Sequence, residues 1–157
     1  MNESKWTIRE ARPDDLAFIY STWARNYRYD SAIGRLCQNG VFFDEYNQII
    51  DHILDQPDTR VLVAVKPDEE NVIFGYIVAQ TGVAHYCFVK EIFRREGIAS
   101  ALIRYSENNI KEYTHKTFLL GAFIQQFPML IYNPFHLYKK GNTHGRESKD
   151  NEQRSSA

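Results

Sequence analysis

The chain has 157 residues, 43% hydrophobic and 25% charged, with ten Tyr and ten Phe; that suits one self-contained domain and is short for two. Nineteen Lys and Arg against twenty Asp and Glu give a net charge of -1, which excludes a global positive field toward nucleic acid and makes any anion site a local one. Cys37 and Cys87 lie in different elements without a CxxC or His-rich setting, so neither a disulfide framework nor a zinc site is indicated, no metal is expected, and a reduced, cytoplasmic setting fits.

The N-terminal MNESKWTIRE has no apolar signal core, and no apolar run approaches the roughly 20 residues that span a bilayer, so no membrane role is expected. Trp6 to Glu10 reads as a strand. ARPDDL then opens a helix, with Pro13 suited to the first turn and Asp14 and Asp15 complementing the dipole. Leu16, Ile19, Tyr20, Trp23 and Tyr27 follow at helical spacing. A polar loop is predicted from Asp30 to Gly40, and Phe43, Tyr46, Ile50, Ile53 and Leu54 then mark a second amphipathic helix ending near Gln56 and Pro57.

The period changes at RVLVAVK and VIFGYIVAQ, joined by PDEEN, which predict an antiparallel hairpin. VAHYCFVK is a further strand, and FRREGIAS leads from it into a helix containing Leu102, Ile103 and Tyr105. IKEYT predicts a short strand. A helix is expected from Thr117, where Leu120, Phe123 and Phe127 are in phase, and MLIYNPF predicts a last strand stopped by Asn133 and Pro134. The predicted order is β, α, α, β, β, β, α, β, α, β over a domain of residues 1–140, followed by a polar tail, 141–157, expected to be disordered.

FRREGIAS carries the chemistry. A helix N-terminus offers unpaired backbone N–H groups and a positive dipole end, and glycine at its entrance lets an anion approach the backbone. Arg94 and Arg95 add charge, while Ala99 and Ser100 keep the first helical turn free of bulk. Taken alone, the same residues also describe a tight turn with solvated arginines. Neither a GxxxxGK[ST] nor a GxGxxG pattern is present, which excludes the familiar P-loop and dinucleotide turns.

Arg94, Arg95, Glu96, Gly97, Ile98 and Ala99 resemble the (Q/R)xxGx(G/A) motif of the GCN5-related N-acetyltransferases. Val89 stands five residues before Arg94, as in the family's longer pattern, with Cys87 in place of the usual Leu. IREARPDDLAFIY is similar to the family's first strand and helix, and the element order agrees from about residue 6 to residue 134. STWARNYR, YCFVKEIFRREGIA and YNPF are similar to small members found in phage and prophage genomes.

The resemblance implies an α/β fold with a mixed, mostly antiparallel sheet, helices on both faces and strands splayed around acetyl-CoA. Backbone groups of Arg95, Glu96, Gly97, Ile98, Ala99 and Ser100, with the charge of Arg94, would hold the pyrophosphate, and backbone near Phe88 and Val89 would hold the pantetheine arm. His85 is the first choice for a base toward an amine acceptor, and His115 has a similar claim; both also fit as hydrogen-bonded structural histidines. Tyr138, in an imperfect version of the family's tyrosine pattern, and Tyr132 are alternatives for the acid. Tyr27, Tyr29, Asp30 and Glu45 would face the acceptor.

Two functional readings follow. The first is an N-acetyltransferase acting on a small-molecule amine, a protein amine or an aminated DNA base, the last supported by Arg25, Arg28 and Arg35 but not by the net charge. The second is a non-catalytic CoA-binding or host-interaction protein on the same fold.

Overall fold

The computed structural model describes residues 4–106, 109–117 and 124–138. The tail from Gly141 and most of the helix expected from Thr117 lie outside the described residues.

Strand β1 (Thr7–Glu10) lies beside β2 (Arg60–Lys66), followed in space by β3 (Glu69–Gln80), β4 (Val83–Val89), β5 (Glu112–Tyr113) and β6 (Ile131–Tyr132). The first four pair antiparallel, whereas β4 with β5 and β5 with β6 pair parallel. Short turns join β2 to β3 and β3 to β4; the parallel step from β4 to β5 requires a crossover, supplied by helix α4 (Ile98–Tyr105). Helices α1 (Leu16–Asp30), α2 (Ala32–Leu36) and α3 (Asn39–Leu54) precede β2.

Strand alternation divides the core. Val63, Val65, Tyr76, Val78 and Tyr86 face α1 and α3, where they pack on Ile19, Trp23, Tyr27, Phe42, Tyr46, Ile50 and Ile53. Leu62, Ala64, Phe74, Ile77 and Ala84 face the other way, onto Ile98 and Leu102 of α4. The result is the mixed, mostly antiparallel sheet with helices on both faces that the family resemblance implied.

Local departures have local causes. The turn at Pro13–Asp15 is a 3-10 turn rather than the start of α1, because the Asp15 carboxylate accepts the Arg12 N–H at 2.7 Å and pairs with Arg9 at 2.7 Å. The predicted polar loop contains α2, which Ser31 caps by accepting the Gly34 N–H at 3.0 Å. Strand β3 starts at Glu69, which pairs with Lys66 and leaves Pro67 and Asp68 as the turn. Glu91–Phe93 and, after β6, Pro134–Tyr138 form two further short 3-10 segments.

The hairpin of β3 and β4 is tight. A Cβ on Gly75 would lie 2.5 Å from the Phe88 carbonyl oxygen. Gly75→Ala should therefore force backbone apart and lower the unfolding free energy by about 1–3 kcal/mol in urea titrations; unchanged stability would show that β3 and β4 can separate without loss.

Candidate functional site

The site begins with a register change. Val78 opposes Tyr86 and Ala79 opposes Ala84, so His85 is an extra residue in β4, a β-bulge. Beyond it, the Lys90 N–H donates to the Phe74 carbonyl at 2.8 Å, and antiparallel alternation turns the backbone groups of Phe88 and Tyr86 toward β3. Those of Cys87 and Val89 therefore face the other edge.

On that edge β5 pairs only with Val83 and Ala84, and the last bond runs from the Thr114 N–H to the Ala84 carbonyl at 3.2 Å. The strands then part. Arg94 Nε donates to the Val89 carbonyl at 2.9 Å, so the Cys87 N–H and C=O and the Val89 N–H stand on an open edge without a strand partner among the described residues.

The glycine turn borders the same opening. Arg94 is extended, Arg95 has φ 66° and Gly97 has φ 83°. Left-handed residues this close fold consecutive N–H groups into a concave anion cradle, and the Arg95 conformation costs a non-glycine residue about 1–2 kcal/mol. Gly97 also serves as the N-cap of α4; its carbonyl accepts from Ala101 at 3.0 Å, while Ile98, Ala99 and Ser100 are first-turn donors without helical acceptors. A Cβ on Gly97 would meet nothing within 4 Å. The space beside the turn is open.

Turn and edge share one cleft of about 890 Å³. Its walls include Phe88, Val89, Arg94, Arg95, Gly97, Ile98, Ala99 and Ser100, all expected from the sequence; Glu96 is on the turn but not on the wall. Asp30 also lines it. Sequence reasoning did not single out Asn26, Thr117 or Gln126, which complete the far side. The signal for Asn26 was present, since Asn26 and Asp30 are four residues apart and flank the buried Trp23 and Tyr27 on α1.

Several solved proteins have this architecture. YycN of Bacillus subtilis, a candidate acetyltransferase, is 10% identical, with 77% of this chain and 87% of that one covered and a TM-score of 0.58. A candidate acetyl transferase from Pyrococcus furiosus is 16% identical, with 78% and 89% covered and a TM-score of 0.56. The aminoglycoside N-acetyltransferase AAC(6')-Iy, solved in complex with CoA, is 16% identical, with 80% and 86% covered and a TM-score of 0.52. The chain shares the acetyltransferase fold. No protein-family model and no curated protein matches the sequence.

Within this fold the two histidines stand away from the wall of the large cleft. His85 Nε2–H donates to Gln80 Oε1 at 2.6 Å, and its Nδ1 accepts from the Thr114 hydroxyl at 2.9 Å. Thr114 Oγ1 in turn accepts from His115 Nδ1 at 2.8 Å. Burial pulls His85 down to about 4 and His115 down to about 3. With both ring nitrogens engaged, His85 is not placed to take a proton from an acceptor in the cleft; it ties the bulge to the end of β5. His115 is enclosed by the rings of Trp23, Tyr27, Tyr46 and Tyr86 at 4.8–6.0 Å.

The remaining candidates also divide. Tyr132 is 42% exposed on β6, packed against Tyr113 at 5.4 Å and away from the cleft wall, so the expected acid is not in position there. Tyr138 ends the Pro134–Tyr138 segment, and its side chain lies outside the described residues. Of the expected acceptor-facing group only Asp30 reaches the cleft; Tyr27 is buried among aromatics, and Tyr29 and Glu45 are exposed.

Neutral buried histidines make stability depend on pH. Between about pH 6.5 and pH 4 the unfolded chain binds protons that the folded chain refuses, so stability falls as pH falls, with a slope approaching about 1.4 kcal/mol per pH unit for each histidine. His115→Phe keeps a ring in the aromatic cluster and removes one titration. Urea unfolding across that range should show a shallower slope in this variant, and an unchanged slope would mean that His115 is protonated in the folded state.

Proposed function

We propose that the chain is an acetyl-CoA-dependent N-acetyltransferase acting on a primary amine. The observation that carries this reading is that one cleft joins an anion cradle, at Arg95 to Ser100, to an open strand edge, at Cys87 to Val89. The cradle suits a pyrophosphate, because backbone N–H groups and the start of a helix face it and two arginines stand beside it. The edge suits an extended amide-bearing arm, which pairs with free N–H and C=O groups as an added strand does.

Acetyl-CoA supplies the acyl group as a thioester. The chain's own part is positioning and charge. The Cys87 N–H points into the opening, where it can donate to a carbonyl oxygen that gathers charge under attack. Asp30, at the end of α1, is the carboxylate on the wall away from the arginine turn, and takes the role of accepting a proton from the incoming amine that His85 is not placed to fill.

The acceptor remains a small-molecule amine, a protein amine or an aminated base. Two observations weigh against the base: Arg28 Nε donates to Asn39 Oδ1 at 3.0 Å, and Arg35 Nε donates to the Tyr29 carbonyl at 2.9 Å. Guanidinium groups spent on holding the α1–α3 connection are less available to phosphates. The displacement of both histidines and Tyr132 from the cleft favours a second reading, a CoA-binding protein that transfers nothing.

Calorimetry with acetyl-CoA tests the shared part. The wild type should bind, and Gly97→Val should bind at least about tenfold more weakly with an unchanged circular dichroism spectrum, because a side chain enters the cradle at a positive φ. Equal binding by the two proteins removes the coenzyme reading. Free-thiol release with a panel of polyamines, peptides and aminated DNA then separates the enzyme from the binding protein.

A further inference from the structure

Tyr86 is only 6% exposed, yet its hydroxyl has no hydrogen-bond partner among the described residues. Neighbouring buried phenols are served: Tyr46 accepts from Trp23 Nε1 at 2.7 Å, and Tyr76 shares a bond with Thr22 Oγ1 at 2.9 Å. Among the described residues the one buried side-chain nitrogen or oxygen without a partner is Arg9 Nε, so the unpaired Tyr86 oxygen is not sealed in the core but borders open space, and Tyr86 lines the cleft. The ring itself is fixed. It stacks on Trp23 at 5.2 Å and meets the edges of Tyr27 and His115 at 6.4 and 6.0 Å.

Its place in the fold is equally definite. Tyr86 follows the bulge at His85, and β4 and β5 rejoin at Ala84. It lines both the large cleft and a cavity of about 30 Å³ at the fork, which Ala84, His85, Cys87, Tyr113 and His115 also line. An arm with its anionic end at the glycine turn, laid along Val89 and Cys87, runs out of open edge at Tyr86. The reactive end of the arm stops there.

The phenol also stays neutral. Burial pushes it up, with the Asp30 carboxylate acting in the same direction and Arg94 opposing. A phenol kept neutral on the cleft wall is a hydrogen-bond donor at every working pH.

We propose that the Tyr86 hydroxyl donates a hydrogen bond to the acyl carbonyl oxygen of a thioester bound in the cleft, an assignment that rests on the acetyl-CoA reading above. Together with the Cys87 N–H it supplies a second donor to the same oxygen. The bond strengthens as the amine attacks and the oxygen gathers charge, and the proton remains on Tyr86 while the new C–N bond forms and the C–S bond breaks. This role differs from the acid sought in Tyr132 and Tyr138: the sulfur leaves with its electron pair as the CoA thiolate, and the proton of the amine goes to the Asp30 carboxylate.

The test needs no acceptor. Titration of the full chain with acetyl-CoA and with CoA gives a ratio of affinities that reports contact with the acyl group alone. Tyr86→Phe, which removes one oxygen and keeps the ring, should lower that ratio by about tenfold, the weight of one hydrogen bond, with the CoA affinity unchanged. The drop should be the same between about pH 6 and pH 9, because the donor does not titrate there. An unchanged ratio, or a drop confined to one end of that range, overturns the assignment to Tyr86. If the wild type binds neither ligand, the coenzyme reading fails and takes this assignment with it.

Discussion

Because Val78 opposes Tyr86 while Ala79 opposes Ala84, β4 carries one residue more than β3, and that residue, His85, decides which backbone groups of β4 face outward. Without the extra residue the phase set at Ala84, whose carbonyl is bonded by Thr114, would continue along β4, and β5 would have a regular edge to follow. With it, the edge phase passes to Cys87 and Val89 just where β5 has left. A histidine suits the position because each ring nitrogen reaches a different partner, Thr114 on β5 and Gln80 at the end of β3. Gln80 is itself oriented by donating to Asp58 at 2.8 Å.

That fork is coupled to the helices through aromatic rings. His115, one residue past Thr114, inserts among Trp23, Tyr27 and Tyr46, and Trp23 stacks on Tyr86. The packing that positions α1 is therefore the packing that positions the fork. Asp30 and Asn26 reach the cleft because α1 is locked at Trp23 and Tyr27, both buried. Close packing of this kind transmits small displacements, so a change in the aromatic cluster would be felt at the strand edge.

Much of the fold was legible because its signals are periodic. Helical spacing in α1 and α3 and β-branched runs in β2 and β3 come from burying one face of each element, and the structure places those residues in or against the core except Leu16, which is exposed at the start of α1. The five-residue α2 was not legible, since it is too short to show a period and rests on one side-chain cap, Ser31. Nor was the bulge. It is a mismatch between two strands, and VAHYCFVK read by itself carries no mark of where β3 changes register. That is why His85 was assigned a chemical role: on a strand it belonged to the right neighbourhood, but its direction depended on a register that one strand does not encode.

The two halves of the cleft differ in legibility for the same physical reason. The turn acts through backbone N–H groups, and a backbone that must adopt φ 83° advertises itself as glycine between arginines and small residues. The opposite wall acts through side chains from α1, β4 and the segment around Gln126, which have no fixed spacing in sequence and meet only once the sheet and helices are packed. Charge divides less cleanly: Arg94 and Arg95 line the cleft at the turn but Glu91 lines it beside them, while Asp30 lines it from α1. Glu91 offsets part of the arginine charge, so the suitability of that end for a phosphate depends on the converging backbone N–H groups as much as on side-chain charge, and Asp30 is the group that suits an amine.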